Sequence, residues 1–134
     1  MCVAGTSLCL LPSSTITYIA PEKSPVEVKA VLTIPEKIAE RAIELKVNPT
    51  LAVEIARAES RFRPDAKNPK STATGIYQFL DGTFKTYCIK KYELTDTMEE
   101  KNDPDIQIEC ALQMIKDGGV EHWDASKTVW NKNI

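Results

Sequence analysis

Glu59 is the residue of this sequence best placed to move a proton. It lies in the stretch Glu54 to Asn68, around which Leu51, Ile55, Ala58 and Phe62 recur every three to four residues, the spacing of one helix face. A carboxylate on such a face loses hydration, and near a helix C-terminus it also meets the negative end of the dipole. Both effects favour the protonated form, which is the profile of a general acid. The competing reading is a helix-end Glu that bends out to solvent or pairs with Arg57 or Arg63. Asp65 and Asp81 are the nearest other carboxylates, but both occupy turn or cap contexts where Asp is common for local reasons.

The elements that must position Glu59 read as helices. Thr33 or Ile34 ahead of Pro35 starts the first, with Ile38, Ala42 and Leu45 as its apolar face up to Val47. Asn48-Pro49 caps and opens a second helix, expected to run to about Arg61, after which Arg63-Pro64 turns the chain out. A polar, turn-rich loop follows from Asp65 to Thr74. Gly75 then introduces Ile76, Tyr77, Gln78, Phe79 and Leu80, a run that suits a short strand or an extended crossing segment. Asp81, Gly82 and Thr83 offer caps for a helix from Phe84 to about Lys91. Asp103-Pro104 repeats the cap-plus-Pro start, and Ile108, Ala111, Leu112 and Ile115 mark a helix ended by Gly118-Gly119. Trp123, Val129 and Trp130 around Ser126 close a core or line a cleft edge for sugar stacking, and His122 reads as a surface residue. The fold class expected is all-α, with about five helices and little or no sheet.

At 134 residues and 43% hydrophobic content the chain has room for one domain with a core. Its net charge of −2 argues against a nucleic-acid partner, which needs clustered bases. The charge is uneven: Arg57, Arg61, Arg63, Lys67 and Lys70 outnumber Glu59 and Asp65, a basic rim suited to a substrate carrying carboxylates. The stretch Glu93 to Glu109 is acidic, with Lys101 as its one base. One His and no CxxC spacing predict no metal site, and no cofactor motif is present. Cys88 and Cys110 fall in two helical segments, where a disulfide and two buried free thiols are both open. Residues 1–20, with Cys2 and Cys9, are apolar and uncharged; they look like a remnant of a signal-peptide core or a membrane-proximal segment, or else a disordered or strand-like tail. Residues 21–33 read as a Pro-rich linker, and 34–134 as the folded domain.

Glu59-Ser60-Arg61-Phe62, then Pro64 and Ala66, then Gly75-Ile76-Tyr77-Gln78-Phe79, resembles the soluble lytic transglycosylase (SLT) family of lysozyme-like peptidoglycan-cleaving enzymes. The likeness covers roughly Pro35 to Ile115. It implies a lysozyme-like helical domain in which Glu59 is the catalytic acid/base. It also implies cleavage of the β-1,4 bond between N-acetylmuramic acid and N-acetylglucosamine, with hydrolysis of that bond or non-catalytic glycan binding as the alternatives. Ser60 matches the neighbour that helps hold the sugar, Gln78 the substrate-binding Gln, and Gly75 the Gly that lets backbone approach the glycan. Tyr77 and Phe79 flank Gln78 and complete the candidate glycan-binding set; in an extended segment one face would touch glycan and the other the core. Asp103-Pro104 with Gln107-Ile108 is similar to the family's Asp-Pro-x-x-Asn-Ile, with Gln replacing Asn. There are three departures. Met114 stands where Tyr is common, Thr72 takes the place of a Gly, and His122-Trp123-Asp124-Ala125-Ser126 replaces an Ala-Tyr-Asn-Ala-Gly segment. Action outside the cytoplasm, in the periplasm, cell envelope or medium, is what the resemblance implies. A monomer is expected, and the apolar N-terminal segment adds the expectation of membrane association.

Overall fold

Among the described residues the three longest helices start on local side-chain caps. The computed structural model describes residues 30–134, so the N-terminal segment 1–20, both of its cysteines and most of the 21–33 linker lie outside the described residues. Helix α1 (Ile34–Leu45) opens with a reciprocal cap: the Glu36 amide donates to the Thr33 hydroxyl and the Thr33 amide donates to the Glu36 carboxylate. Lys46, in a left-handed conformation, ends it. Asn48 accepts from the Leu51 amide at 3.2 Å and, with Pro49 in the first turn, starts α2 (Pro49–Ser60). Ile38 and Ala42 of α1 are fully enclosed, as are Ala52, Ile55 and Ala56 of α2. The alanines let the two helix backbones pack closely.

The segment that opens at Asp81 differs from the helix expected to begin at Phe84. Its first turn is α3 (Asp81–Thr83), preceded by Leu80 without a side-chain cap, and it continues as a π-helix over Phe84–Lys91. Asp81 does not cap because its carboxylate accepts from Lys101 Nζ at 2.7 Å, which also donates to Thr72 O at 2.6 Å. The one base of the acidic stretch is therefore buried as a clasp between two loops. A short 3-10 turn, Met98–Glu100, leads to α4 (Pro104–Lys116), capped by Asp103 through the amides of Asp105 and Ile106. A 3-10 stretch, Val120–Ser126, kinks at Trp123 and passes into α5 (Lys127–Trp130). Among the described residues there are no strands, only isolated bridges from Thr74 to Lys67 and to Phe79; the domain is all-α and lysozyme-like.

The core joins α1, α2 and α4 to the π-helix and to the 76–79 segment through Ile76, Tyr77, Phe79, Phe84, Leu112, Met114, Trp123 and Trp130. Each large side chain enclosed here contributes about 1.5–3 kcal/mol. Arg41 of α1 forms a bidentate pair with Glu109 of α4 at 2.7 and 2.9 Å. Cys88 and Cys110, both fully buried, are joined by a disulfide that ties the π-helix to α4 across 22 residues of chain. A loop of that length limits the unfolded chain by about 3 kcal/mol. Replacing both cysteines with Ser is expected to lower the thermal midpoint by at least about 10 °C. An unchanged midpoint in the double variant would show that the bridge adds no stability.

Candidate active site

Glu59 is the penultimate residue of α2 and is half-buried. Burial pushes its carboxyl above the usual carboxylate range, and a hydrogen bond from Ser126 works in the other direction. The Ser126 hydroxyl lies 2.5 Å from Glu59 Oε1. Among the described residues Glu59 has no ion pair. Arg57 turns instead to Glu54, with 3.0 Å between Nη2 and Oε2, and Arg63 Nε donates to the Ser60 carbonyl at 3.2 Å. The competing reading, in which Glu59 pairs with Arg57 or Arg63, does not hold; Arg57 pairs with Glu54. Burial disfavours the Glu54 carboxylate, but hydrogen bonds from Arg57 and Asn133 outweigh that and leave its pKa lowered.

Immediately beyond α2, Arg61 and Phe62 both adopt left-handed backbone, with φ of 56° and 65°, and Gln78 does so at 54°. Left-handed backbone costs a non-glycine residue about 1–2 kcal/mol, and such residues cluster where geometry is held for function. The Arg57 guanidinium lies 5.2 Å from the centre of the Phe62 ring, which helps fix this turn. Arg61, Lys67 and Lys70 are exposed and, with Arg63, form no ion pair among the described residues. They leave positive charge on the loop that leads away from Glu59.

The 74–79 segment is not extended. The left-handed Gln78 breaks the alternation, and the segment forms a tight turn closed by reciprocal Thr74–Phe79 backbone bonds of 3.2 and 3.1 Å. As a result Tyr77 and Phe79 do not present side chains to glycan: they are 0% and 2% exposed and pack against Trp123. The Tyr77 hydroxyl donates to Ala52 O of α2 at 2.8 Å. Ser60 is also enclosed; its hydroxyl donates to Ile76 O at 2.7 Å and joins the end of α2 to this turn. Gln78 is half-exposed, and its amide nitrogen donates to Gly75 O and Ala66 O at 2.9 and 3.2 Å, while its side-chain oxygen has no hydrogen bond among the described residues.

Gly75 serves a different neighbour from the one expected. At φ 87°, a Cβ there would lie 2.1 Å from Gln107 Nε2, so the close approach is made by a side chain of α4. Gln107 is completely buried; its Oε1 accepts from the Tyr77 amide at 2.8 Å, and its Nε2 donates to Thr74 O and Lys101 O at 3.0 and 2.8 Å. Trp123 Nε1 then donates to Tyr77 O at 3.0 Å. Asp65 is exposed, and Asp81 is held by Lys101. His122 is exposed and packs edge-on against Tyr87. A concavity of about 290 Å³ between α1 and α4 is lined by Lys37, Arg41, Asp105 and Glu109, whose charges already pair with one another. No described helix is long and apolar enough to cross a membrane.

Glu59 and Gln78 carry motif signals in the sequence, whereas Ser126 lies in a segment that matches no family pattern. A hydroxyl three residues past a Trp carries no local signal.

The family model for the transglycosylase SLT domain matches residues 36–122. The chain is 34% identical over 89 residues to proteins named probable transglycosylase SceD from Staphylococcus aureus strains Mu3, MRSA252 and N315. The aligned region is 66% of this chain and 37% of each relative, so the chain spans little more than a third of their length. No solved structure matches significantly. The matched region runs from the first helix to the start of the Val120–Ser126 stretch and encloses both motifs, and the chain belongs to the transglycosylase SLT domain family.

Proposed function

We propose that this chain is a peptidoglycan lytic transglycosylase that cleaves the β-1,4 bond between N-acetylmuramic acid and N-acetylglucosamine, with Glu59 as its general acid and base. The observation that carries the reading is the state of Glu59: half-buried at a helix C-terminus, without an ion pair among the described residues, and held by a neutral hydroxyl. Such surroundings keep a carboxyl protonated closer to neutral pH, as donation to a glycosidic oxygen requires. Family membership supports the same assignment.

Glycosidases of the two-carboxylate type need a second acid close by. Asp81 is engaged by Lys101 and Asp65 lies in the exposed loop, so substrate assistance fits this site better. Glu59 donates its proton to the leaving oxygen as the bond to the anomeric carbon breaks, and the N-acetyl oxygen of muramic acid closes on that carbon. The Glu59 carboxylate then takes the proton of the sugar's 6-hydroxyl. That oxygen displaces the N-acetyl oxygen and forms the 1,6-anhydro ring, so water is not consumed. Gln78, through its side-chain oxygen, and the Arg61 to Lys70 bases face the glycan and its acidic substituents. Work on peptidoglycan places the protein outside the cytoplasm. Mass spectrometry of a peptidoglycan digest is expected to show anhydro-muropeptides, whereas muropeptides with reducing ends alone would reassign the chain to hydrolysis.

A further inference from the structure

Resting on the reading of Glu59 as the proton donor, we propose that Ser126 is a positioning residue that holds the Glu59 carboxyl in both its protonated and ionised states by reversing one hydrogen bond. Ser126 Oγ lies 2.5 Å from Glu59 Oε1 and 3.1 Å from Trp123 O. A hydroxyl has one proton and two lone pairs, so it donates to only one of these oxygens at a time. With Glu59 ionised, Ser126 donates to the carboxylate. Trp123 O is not orphaned in that state, because Trp130 Nε1 donates to it at 3.0 Å. With Glu59 protonated, the carboxyl O–H donates to Oγ and the Ser126 proton turns to Trp123 O. Glu59 Oε1, Ser126 Oγ and Trp123 O each keep a partner in both states. A Lys or Arg in this place would serve only the carboxylate, and would hold the acid ionised before it could donate.

The frame around Ser126 is rigid. Trp123 and Trp130 are 4% and 3% exposed, and each indole N–H is anchored to a backbone carbonyl. Charged groups nearby do not compete. On the C-terminal segments packed against α2, Glu121, Asp124, Lys127 and Lys132 are exposed, and on α1 and α4 Lys37 pairs with Asp105 and Arg41 with Glu44 and Glu109; none of these bonds to Glu59 among the described residues, and on α2 itself Glu54 and Arg57 hold each other. On the turn after α2, Arg63 is directed to the Ser60 carbonyl. The segment 122–126, which departs from the family pattern, thereby supplies a group that fits a residue acting first as acid and then as base.

The test follows the Glu59 carboxyl by carbon-13 NMR, its resonance assigned by loss in Glu59→Gln, alongside the pH profile of kcat/KM for peptidoglycan cleavage. Ser126→Ala removes a donor to the carboxylate. The Glu59 midpoint is therefore expected to rise, the basic limb of the profile to move to higher pH with it, and kcat to fall about tenfold, with melting close to wild type. Ser126→Thr restores all three. Should the Ala variant misfold, Ser126→Cys, equal in shape but a poor donor, must show the same rise. An unmoved midpoint and profile, with Glu59→Gln inactive, overturn the Ser126 proposal alone. Full activity in Glu59→Gln overturns the reading of Glu59 and takes this proposal with it.

Discussion

Peptidoglycan suspended with the Glu59→Gln variant is expected to stay turbid, with cleavage slowed about 10³-fold, the usual worth of a positioned general acid. Gln keeps the shape of Glu and can still accept from the Ser126 hydroxyl, so the loss is of the transferable proton alone. The same variant should also melt higher than the wild type at pH 7. Burial raises the folded-state pKa of Glu59, so the folded protein binds more protons than the unfolded chain between the two values. The wild type consequently loses stability as pH rises from the unfolded value of about 4.3 through the folded one, while neutral Gln does not. The gap in melting temperature is therefore present at pH 7 and closes below about pH 4. A gap that is absent, or constant across that window, would mean that Glu59 is not held in a desolvated site.

Gln107→Leu is expected to be strongly destabilising. It deletes three hydrogen bonds and leaves the Tyr77 amide buried without an acceptor. Orphaning one buried donor and weakening two carbonyls costs about 4 kcal/mol, or about 20 °C in melting temperature for a domain of this size. Gly75→Ala should approach that figure, because its Cβ would meet Gln107 at 2.1 Å. A double-mutant cycle separates the causes. In a Gln107→Ala background the collision disappears, and Gly75→Ala should cost only the strain of a left-handed Ala, about 1–2 kcal/mol. Equal costs in the two backgrounds would mean that the glycine is required for its backbone angle and that Gln107 plays no part.

Helix starts were legible because capping is chemistry between near neighbours. Thr33 with Glu36, Asn48 with Leu51, and Asp103 with Ile106 each act over three residues. The glycine and glutamine of the second motif were legible as residue types, but the reason for Gly75 lies 32 positions away on α4, where no local pattern points. Alternation of Tyr77 and Phe79 about Gln78 suggested an extended segment; a left-handed φ at Gln78, a choice enforced by tertiary packing, turned it into a knot of core. Asp81 reads as a cap until Lys101 takes its carboxylate. The π-helical winding of Phe84–Lys91 has no residue signature, since it is a shift of hydrogen-bond register. Ser126 was hidden for the opposite reason to Gly75: the residue is ordinary, and only the fold puts it against Glu59.

The turn at 74–79 has a practical consequence for engineering this scaffold. Its backbone is gripped by side chains from three separate helical elements: Ser60 on Ile76, Gln107 on the Tyr77 amide, and Trp123 on the Tyr77 carbonyl. These contacts behave as one inheritable cassette spread over distant parts of the chain. A chimaera that imports the Gly75 to Phe79 loop from a relative must import its three clamps as well, or it delivers a loop whose polar atoms have lost their sockets.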